Sequence, residues 1–462
     1  MEISSIIRKK IKNNSELFLN ILGSVGIKGL SMLIGILTLP AYLHYFKDQQ
    51  ILGVWFALLS ILNWVLTFDL GIGNGLRNYL VEAFVEKDET KAKRYISSAY
   101  ITIGSITILL GLIGYLIIGE SNWNSILNIS KNVIDNNILI GVVRLIYTGI
   151  LLQLFLRLIL SILYALQKPA LSYFILLISN SLILVFLVIY KSNDVITNLQ
   201  TLARVYMVII NVPLFIATII VFAKPLKNSR PNITFYNKDY SKKILKLGSM
   251  FLGIQLSLLI INSTNEILII QLFGPEEVVL YQAYYKIFST PLVFFSIITI
   301  PIWSSVTKAF IENRIDWIKK IYKYLNIIAL TICIFSIALV FVFQNIVDIW
   351  LGSEAFQVEL FSATIFALYN SIMIFIYSVT SIANGISKLK PQLICNIIAA
   401  LLKIPLAIIL SKMIDSWISI IIVNIIIMVP SIIIQPLAIR KEFKKIQMLD
   451  STSDMAARSI EL

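Results

Sequence analysis

Histidine, cysteine and charge are all scarce in this chain of 462 residues. There is one histidine, His44, and there are two cysteines, Cys333 and Cys395. Metal sites and His-based catalysis need such residues in clusters, so neither a structural zinc nor a histidine active centre has anything to be built from. Both cysteines lie inside apolar runs and read as small core residues rather than as a disulfide. Charged residues make up 14% of the chain, against about 25% in a soluble domain. Apolar residues reach 58%, and the mean hydropathy is +0.86. A chain so apolar cannot cover itself with polar surface in water, which excludes a string of soluble domains, a disordered chain and a collagen-like repeat. It reads as an integral membrane protein. Met1 to Lys12 is basic, but the apolar run that follows is too long for a signal peptide and lacks a small-residue cleavage site.

A helix needs about 20 apolar residues to cross the hydrocarbon core. Twelve such runs are present, near 17–43, 51–76, 95–118, 138–166, 170–190, 201–223, 247–271, 279–305, 321–343, 357–383, 393–411 and 417–439. Of the 39 Lys and Arg, 29 fall on the side of the N-terminus, the even-numbered loops and the C-terminal tail, 4 on the opposite side and 6 within spans. The positive-inside rule then places both termini in the cytoplasm. The formal charge of +14 is accounted for as a topology signal, without nucleic acid as a partner.

The loops repeat. Ala83-Phe84-Val85-Glu86 after span 2 corresponds to Ala309-Phe310-Ile311-Glu312 after span 8, and Gln167-Lys168-Pro169 after span 4 to Leu389-Lys390-Pro391 after span 10. Gly23-Ser24 and Gly248-Ser249 open spans 1 and 7. These matches read as two six-span halves of one orientation, as in several transporter folds. The expected organisation is an N-terminal lobe over 1–223, a cytoplasmic linker over 224–246, a C-terminal lobe over 247–439 and a tail over 440–462.

Ionisable side chains in hydrocarbon cost about 2.5–3.5 kcal/mol each on insertion scales, so they usually face protein or a wet cavity. Six cations lie three or more residues inside the spans (Lys28, Arg144, Arg157, Arg204, Lys286 and Lys403) against two anions, Asp69 and Glu266. Helical spacing aligns Ser24, Lys28 and Ser31; Gln153, Arg157, Ser161 and Tyr164; Gln255, Asn262 and Glu266; and Gln392, Asn396 and Lys403. Arg144 and Arg157 stand about 140° and ~20 Å apart on an ideal helix and do not form one clamp by themselves. Glu266 and Lys286 lie at similar depth in one hairpin, as a structural ion pair would. Arg204 and Asp69, near span ends, can snorkel. Lys28, Arg157 and Lys403, with Arg144, are the candidate binding residues: cations in a cavity between lobes, short of carboxylates, would hold a phosphate or diphosphate.

The stretch 68–78, Phe-Asp-Leu-Gly-Ile-Gly-Asn-Gly-Leu-Arg-Asn, closes span 2. Gly71, Gly73 and Gly75 do not make a nucleotide loop, because no strand precedes them and no Gly-Lys-Ser/Thr follows. They read as a hinge, with Asp69 capping the next turn or meeting Arg77. Pro40, Pro213, Pro291, Pro301 and Pro405 are further kink sites.

That span 2 ending, with ALQKPALS at 165–172 and NGISKLKPQ at 384–392, resembles the bacterial polysaccharide-unit (O-antigen) flippases of the multidrug/oligosaccharidyl-lipid/polysaccharide exporter superfamily. The resemblance covers the whole chain in span number, lobe repeat and loop lengths, with motifs of moderate specificity. It implies an all-α polytopic membrane protein with twelve transmembrane helices in two six-helix lobes around a central cavity. It implies export of an undecaprenyl-diphosphate-linked oligosaccharide unit to the periplasmic leaflet of the bacterial inner membrane, for O-antigen, lipopolysaccharide or other surface polysaccharide biosynthesis. The partners so implied are that lipid-linked unit, membrane lipids, and the polysaccharide polymerase with its chain-length machinery. No cofactor is implied, and proton or sodium coupling would fall on Asp69 or Glu266. Peptidoglycan-precursor flippases usually carry more spans. The alternatives are a drug/cation antiporter of the same fold, which calls for an acidic cavity, and a repeat-unit polymerase, which calls for an acid/base cluster that the outer loop 119–137 lacks. A major facilitator would carry a Gly…Asp-Arg-x-Gly loop after span 2, where this chain reads Glu86 to Arg94.

Overall fold

The computed structural model describes residues 2–63, 65–66, 71–127, 129–190, 192–351 and 356–460. Asp69, a candidate coupling residue, lies outside them. The described residues form sixteen α-helices and fall into two compact units, Met1–Ser249 and Met250–Leu462. Eleven of the helical segments are long and apolar enough to cross a membrane, and a shorter apolar helix, Gln50–Leu59, stands where the second of the twelve expected spans falls. The protein is an all-helical, multi-pass membrane protein.

The first unit holds α1 (Glu2–Phe46), α2 (Gln49–Asn63), α3 (Ile72–Val85), α4 (Glu89–Glu120), α5 (Trp123–Ile126), α6 (Asn136–Leu156), α7 (Leu158–Ala165), α8 (Pro169–Ile189) and α9 (Val195–Ala223). Its core gathers Tyr45, Trp55, Leu139, Val143, Ile146, Leu199 and Leu202. The segment 224–246, expected as a cytoplasmic linker, is docked on this unit: Ser98 Oγ accepts from Asn237 N at 3.1 Å and Ser97 Oγ from Asn232 N at 3.0 Å, and Thr102 Oγ1 pairs with Ser241 Oγ at 3.1 Å. The boundary between units therefore falls inside α10 (Lys238–Phe273), after Ser249.

The second unit continues with α11 (Pro275–Phe288), α12 (Thr290–Ile311), α13 (Ile315–Leu351), α14 (Leu360–Gly385), α15 (Lys390–Met413) and α16 (Ser419–Ile460). Its core is strongly aromatic, with Tyr284, Phe288, Phe343, Phe366 and Trp417 packed at centroid separations of 4.9–6.2 Å. Such tilted and edge-to-face pairs favour the opposed ring quadrupoles.

The loop repeat is also a repeat of backbone geometry. Lys87 (φ 56°) and Asn313 (φ 55°) are both left-handed, and the amides that follow reach back alike, Asp88 N to Ala83 O and Arg314 N to Ala309 O. Gln167 and Ser387 (both φ 58°) do the same one loop later, with Lys168 N on Leu163 O and Lys388 N on Ala383 O. These are helix C-terminal motifs in which the last carbonyls are satisfied by a left-handed residue. The proline follows two residues after Gln167 but four after Ser387, so the second copy of this loop is the longer.

Two spans expected to be continuous are broken. Span 2 divides between α2 and α3, with Gly71 at φ 67° as the cap of α3. Span 4 divides at Arg157, whose carbonyl accepts from Leu160 N in an i→i+3 bond. Neither break involves a proline. Pro291 likewise opens α12 after a break at Ser289 rather than kinking a helix interior, whereas Pro40, Pro213, Pro301 and Pro405 do lie inside helices.

Candidate functional site

The first unit presents its cations. On α6, Asn211 Nδ2 of α9 donates to Gly149 O at 2.9 Å, and a Cβ on Gly149 would lie 3.0 Å from Met207 Cα. The missing side chain lets α6 and α9 come together, and about a turn earlier on each helix stand Arg144 and Arg204. Both line a cavity of about 710 Å³ between α4, α6 and α9, together with Tyr115, Thr148, Gln200 and Asn137. Among the described residues no carboxylate lines it. The Arg144 guanidinium lies 5.8 Å from the Tyr115 ring centroid, a cation–π distance, and Tyr115 Oη and Thr148 Oγ1 share a hydrogen bond of 2.5 Å. Gly119 leaves room for the arginine, since a Cβ there would come 2.8 Å from Nη2. Arg204, expected to snorkel alone, instead shares this pocket with Arg144.

Arg157 is exposed at the break in span 4 and, among the described residues, its side chain makes no hydrogen bond or ion pair. Two turns on, Tyr164 stands in the fields of both Arg157 and Arg77, and the Arg77 guanidinium lies 4.9 Å from its ring centroid. Arg77 is only 2% exposed. Sequence reasoning had it as a loop cation. The signal for its burial is the small-residue run before it: Gly71 meets Gly248 of α10, and a Cβ on Gly75 would stand 2.6 Å from Ile244 O. Gly71 and Gly75 thus permit backbone-to-backbone packing of α3 on α10, and Gly73 is buried with them. Lys28 is half-buried and, among the described residues, its side chain has no hydrogen bond or ion pair. Its stripe partner Ser24 is fully buried, and Ser31 Oγ accepts from Asn180 of α8 at 3.2 Å.

The second unit encloses its cation. Lys403 is 0% exposed, and its ammonium donates to Asn265 Oδ1 at 2.8 Å, Asn424 Oδ1 at 2.5 Å and Ile420 O at 3.1 Å. Asn424 Nδ2 donates to Asn265 Oδ1 at 3.2 Å, and Asn265 Nδ2 to Tyr281 Oη at 3.3 Å. An ammonium has three hydrogens. All three are committed, so Lys403, expected to hold an anion, has no hydrogen left to offer one. The ion pair expected between Glu266 and Lys286 is absent: Glu266 accepts from Gln282, while Lys286 lies 5.4 Å from the Trp350 ring centroid. Glu266 and Asn262 face outward from α10, and Asn262 Oδ1 accepts from Tyr369 Oη at 3.2 Å. Among the described residues no group of three His, Cys, Asp or Glu could hold a metal ion.

Solved structures similar to this chain include transporters. One is the outward-facing conformation of a multidrug resistance MATE family transporter of the MOP superfamily, 16% identical, with 93% of this chain and 96% of that one covered at a TM-score of 0.74. MATE in the straight conformation is 16% identical over 94% and 96% at 0.75. A MOP superfamily transporter from Pyrococcus furiosus, described by the reverse polarity of its binding pocket, is 16% identical over 93% and 96% at 0.73. No family model matches the chain, and no curated protein matches it. The chain has the MATE transporter fold.

Proposed function

We propose that this chain is a MOP-superfamily flippase that moves undecaprenyl-diphosphate-linked oligosaccharide units from the cytoplasmic to the periplasmic leaflet of a bacterial inner membrane, by alternating access. The observation that carries the reading is the pocket of Arg144 and Arg204: two guanidiniums, a tyrosine, two amides and a hydroxyl, with no acid among the lining residues. Guanidinium forks match phosphate oxygens two bonds at a time, and such charge-assisted bonds are roughly twice as strong as neutral ones. A diphosphate would engage the arginines while Gln200, Asn137 and Thr148 supply sugar-compatible hydrogen bonds. Arg157 and Lys28, also without carboxylate partners, extend the cationic character of the first unit. The Pyrococcus furiosus neighbour is described as having a binding pocket of reverse polarity that suggests a different function, which is in keeping with an acid-free pocket here. No bond is made or broken in such transport, so no residue is assigned a catalytic role. The lipid-linked unit, the polysaccharide polymerase and its chain-length machinery are the proposed partners.

A second reading, a drug/cation antiporter, is supported by the MATE neighbours and by Glu266, an exposed acid within the apolar part of α10. One experiment separates them. Loss of the gene should leave the lipid-linked unit in the inner leaflet while drug efflux is unchanged. Normal leaflet distribution together with increased drug sensitivity would overturn the flippase reading.

A further inference from the structure

We propose that the second unit carries a binding site for an anionic glycerophospholipid at its lysine- and arginine-rich end, the end that the positive-inside rule assigns to the cytoplasm. The site is a groove of about 700 Å³ formed by α13, α14 and α16. It lies apart from the Lys403 network, because Arg440 is sixteen residues, hence ~24 Å, further along α16 than Asn424. The inference is independent of which substrate the protein carries.

Four cations line the groove: Lys319 and Lys323 from α13, Arg440 and Lys444 from α16. Acids close by are accounted for. Glu442 is paired with Lys388 at 2.9 Å, and Asp316, 96% exposed at the rim, meets Lys319 only at 3.8 Å. Among the described residues Lys323, Arg440 and Lys444 form no ion pair. The groove therefore concentrates positive charge at one spot, with the exposed Asp316 at long range from Lys319 as the carboxylate paired to a lining cation among the described residues.

The polarity changes along the groove in the way that a lipid does. Lys319, Lys323, Ile327 and Leu330 recur at helical spacing on one face of α13, and Lys319 to Leu330 spans ~16 Å of helix. Asn326 lies between the two halves, held by Ser378 Oγ of α14 at 2.8 Å. Ile327 is 50% and Leu330 54% exposed, and Phe375 closes the apolar wall from α14. The headgroup region of a bilayer leaflet is about 6 Å deep, so a stripe of this length begins among phosphates and ends among acyl methylenes. A free phosphate ion would use the cationic half alone and leave the apolar half wet. A phosphodiester with chains attached uses both, and basic pockets between helices on the cytoplasmic side are the kind of site that takes anionic head groups.

The test is native mass spectrometry of the delipidated full-length protein titrated with phosphatidylglycerol, phosphatidylcholine or inorganic diphosphate. Wild type should retain phosphatidylglycerol at least tenfold more tightly than phosphatidylcholine. Lys319→Gln/Lys323→Gln/Arg440→Gln/Lys444→Gln should fall to the phosphatidylcholine level, whereas the equally discharged control Lys224→Gln/Lys227→Gln/Lys238→Gln/Lys242→Gln should keep the preference. If the fourfold variant does not fold, the pairs Lys319→Gln/Lys323→Gln and Arg440→Gln/Lys444→Gln should each lose part of it. Ile327→Ser/Leu330→Ser should weaken phosphatidylglycerol severalfold with the cations intact. Equal retention of the two lipids by wild type, wild-type binding by the discharged variants, or displacement of phosphatidylglycerol by equimolar inorganic diphosphate would each overturn the proposal.

Discussion

The two units share the same loop geometry and treat their deepest intramembrane cations in opposite ways. In the first, Arg144, Arg157 and Arg204 are exposed, and two of them share one acid-free pocket. In the second, the deepest cation, Lys403, is sealed in the core with an acceptor for every hydrogen. A cation with its donors open is available to a ligand, whereas one with its donors filled is part of the scaffold. Duplicated lobes need not duplicate a site: the difference lies in whether asparagines stand opposite the cation. The second unit supplies Asn265 and Asn424, and the pocket of the first supplies Gln200 and Asn137 at its walls without closing it.

The strongest way to break this contrast is to take an acceptor from the buried ammonium. Asn424→Leu leaves Lys403 charged and underbonded in the core, and stranding one partner of a buried charged network costs about 3–5 kcal/mol. Thermal unfolding of the detergent-solubilised protein should register it, and adding Lys403→Met should recover most of the loss. Additive losses in the double variant would mean that the network does not hold the second unit together. The exposed cations should behave inversely. Arg144→Gln and Arg204→Gln should leave unfolding within about 0.5 kcal/mol of wild type. A charge-assisted hydrogen bond contributes about 1.5–3 kcal/mol, so each should lower transport roughly tenfold or more. Wild-type assembly of surface polysaccharide by the Arg144→Gln/Arg204→Gln variant would remove the pocket from the mechanism.

Much of this was legible in the sequence, and what was not has a common cause. Span positions follow from runs of apolar residues, a local property, and the repeat follows from loops whose backbone is set by a few left-handed residues such as Lys87 and Asn313. The roles of individual cations were not legible. Lys403 meets partners 138 and 21 residues away, and Arg144 and Arg204 line one pocket on two helices that Gly149 lets close. Helical periodicity placed Gln255, Asn262 and Glu266 on one stripe and Gln392, Asn396 and Lys403 on another. It could not say that the first faces outward and the second inward.

A third test concerns how the first unit holds α3. Gly71 combines a left-handed backbone with a carbonyl of α10 where a Cβ would go, and Gly75 has Ile244 O at 2.6 Å from that position. Alanine at a left-handed, crowded position costs about 1–3 kcal/mol, so Gly71→Ala should lower the unfolding temperature. It should also loosen Arg77, seen as faster hydrogen exchange across α3 than across its counterpart, α12. Equal exchange in the two would mean that the glycines are not what packs α3.

The smallest effect separates the starts of the sixth spans. In the first unit Asp194 caps α9, accepting from Thr197 Oγ1 at 2.5 Å, Thr197 N at 2.9 Å and Ile196 N at 3.3 Å. In the second, α16 begins after a turn in which Ser419 N and Ile420 N bond to the carbonyls of Ser416 and Trp417. The Thr197 hydroxyl, with the backbone amides, holds the Asp194 carboxyl below its usual value against the small opposing effect of burial. A carboxyl whose folded pKa is depressed stabilises the fold above its unfolded pKa, and the contribution disappears as pH falls through the folded one. Asp194→Asn should therefore matter at neutral pH and converge with wild type in acid, below about pH 4. Because the group is fully exposed, the difference should be confined to α9 and read as amide exchange at Ile196 and Thr197, while the start of α16 stays unchanged by pH over the same interval. A matching acid response at α16 would show that the two units titrate together and that the cap is not its origin.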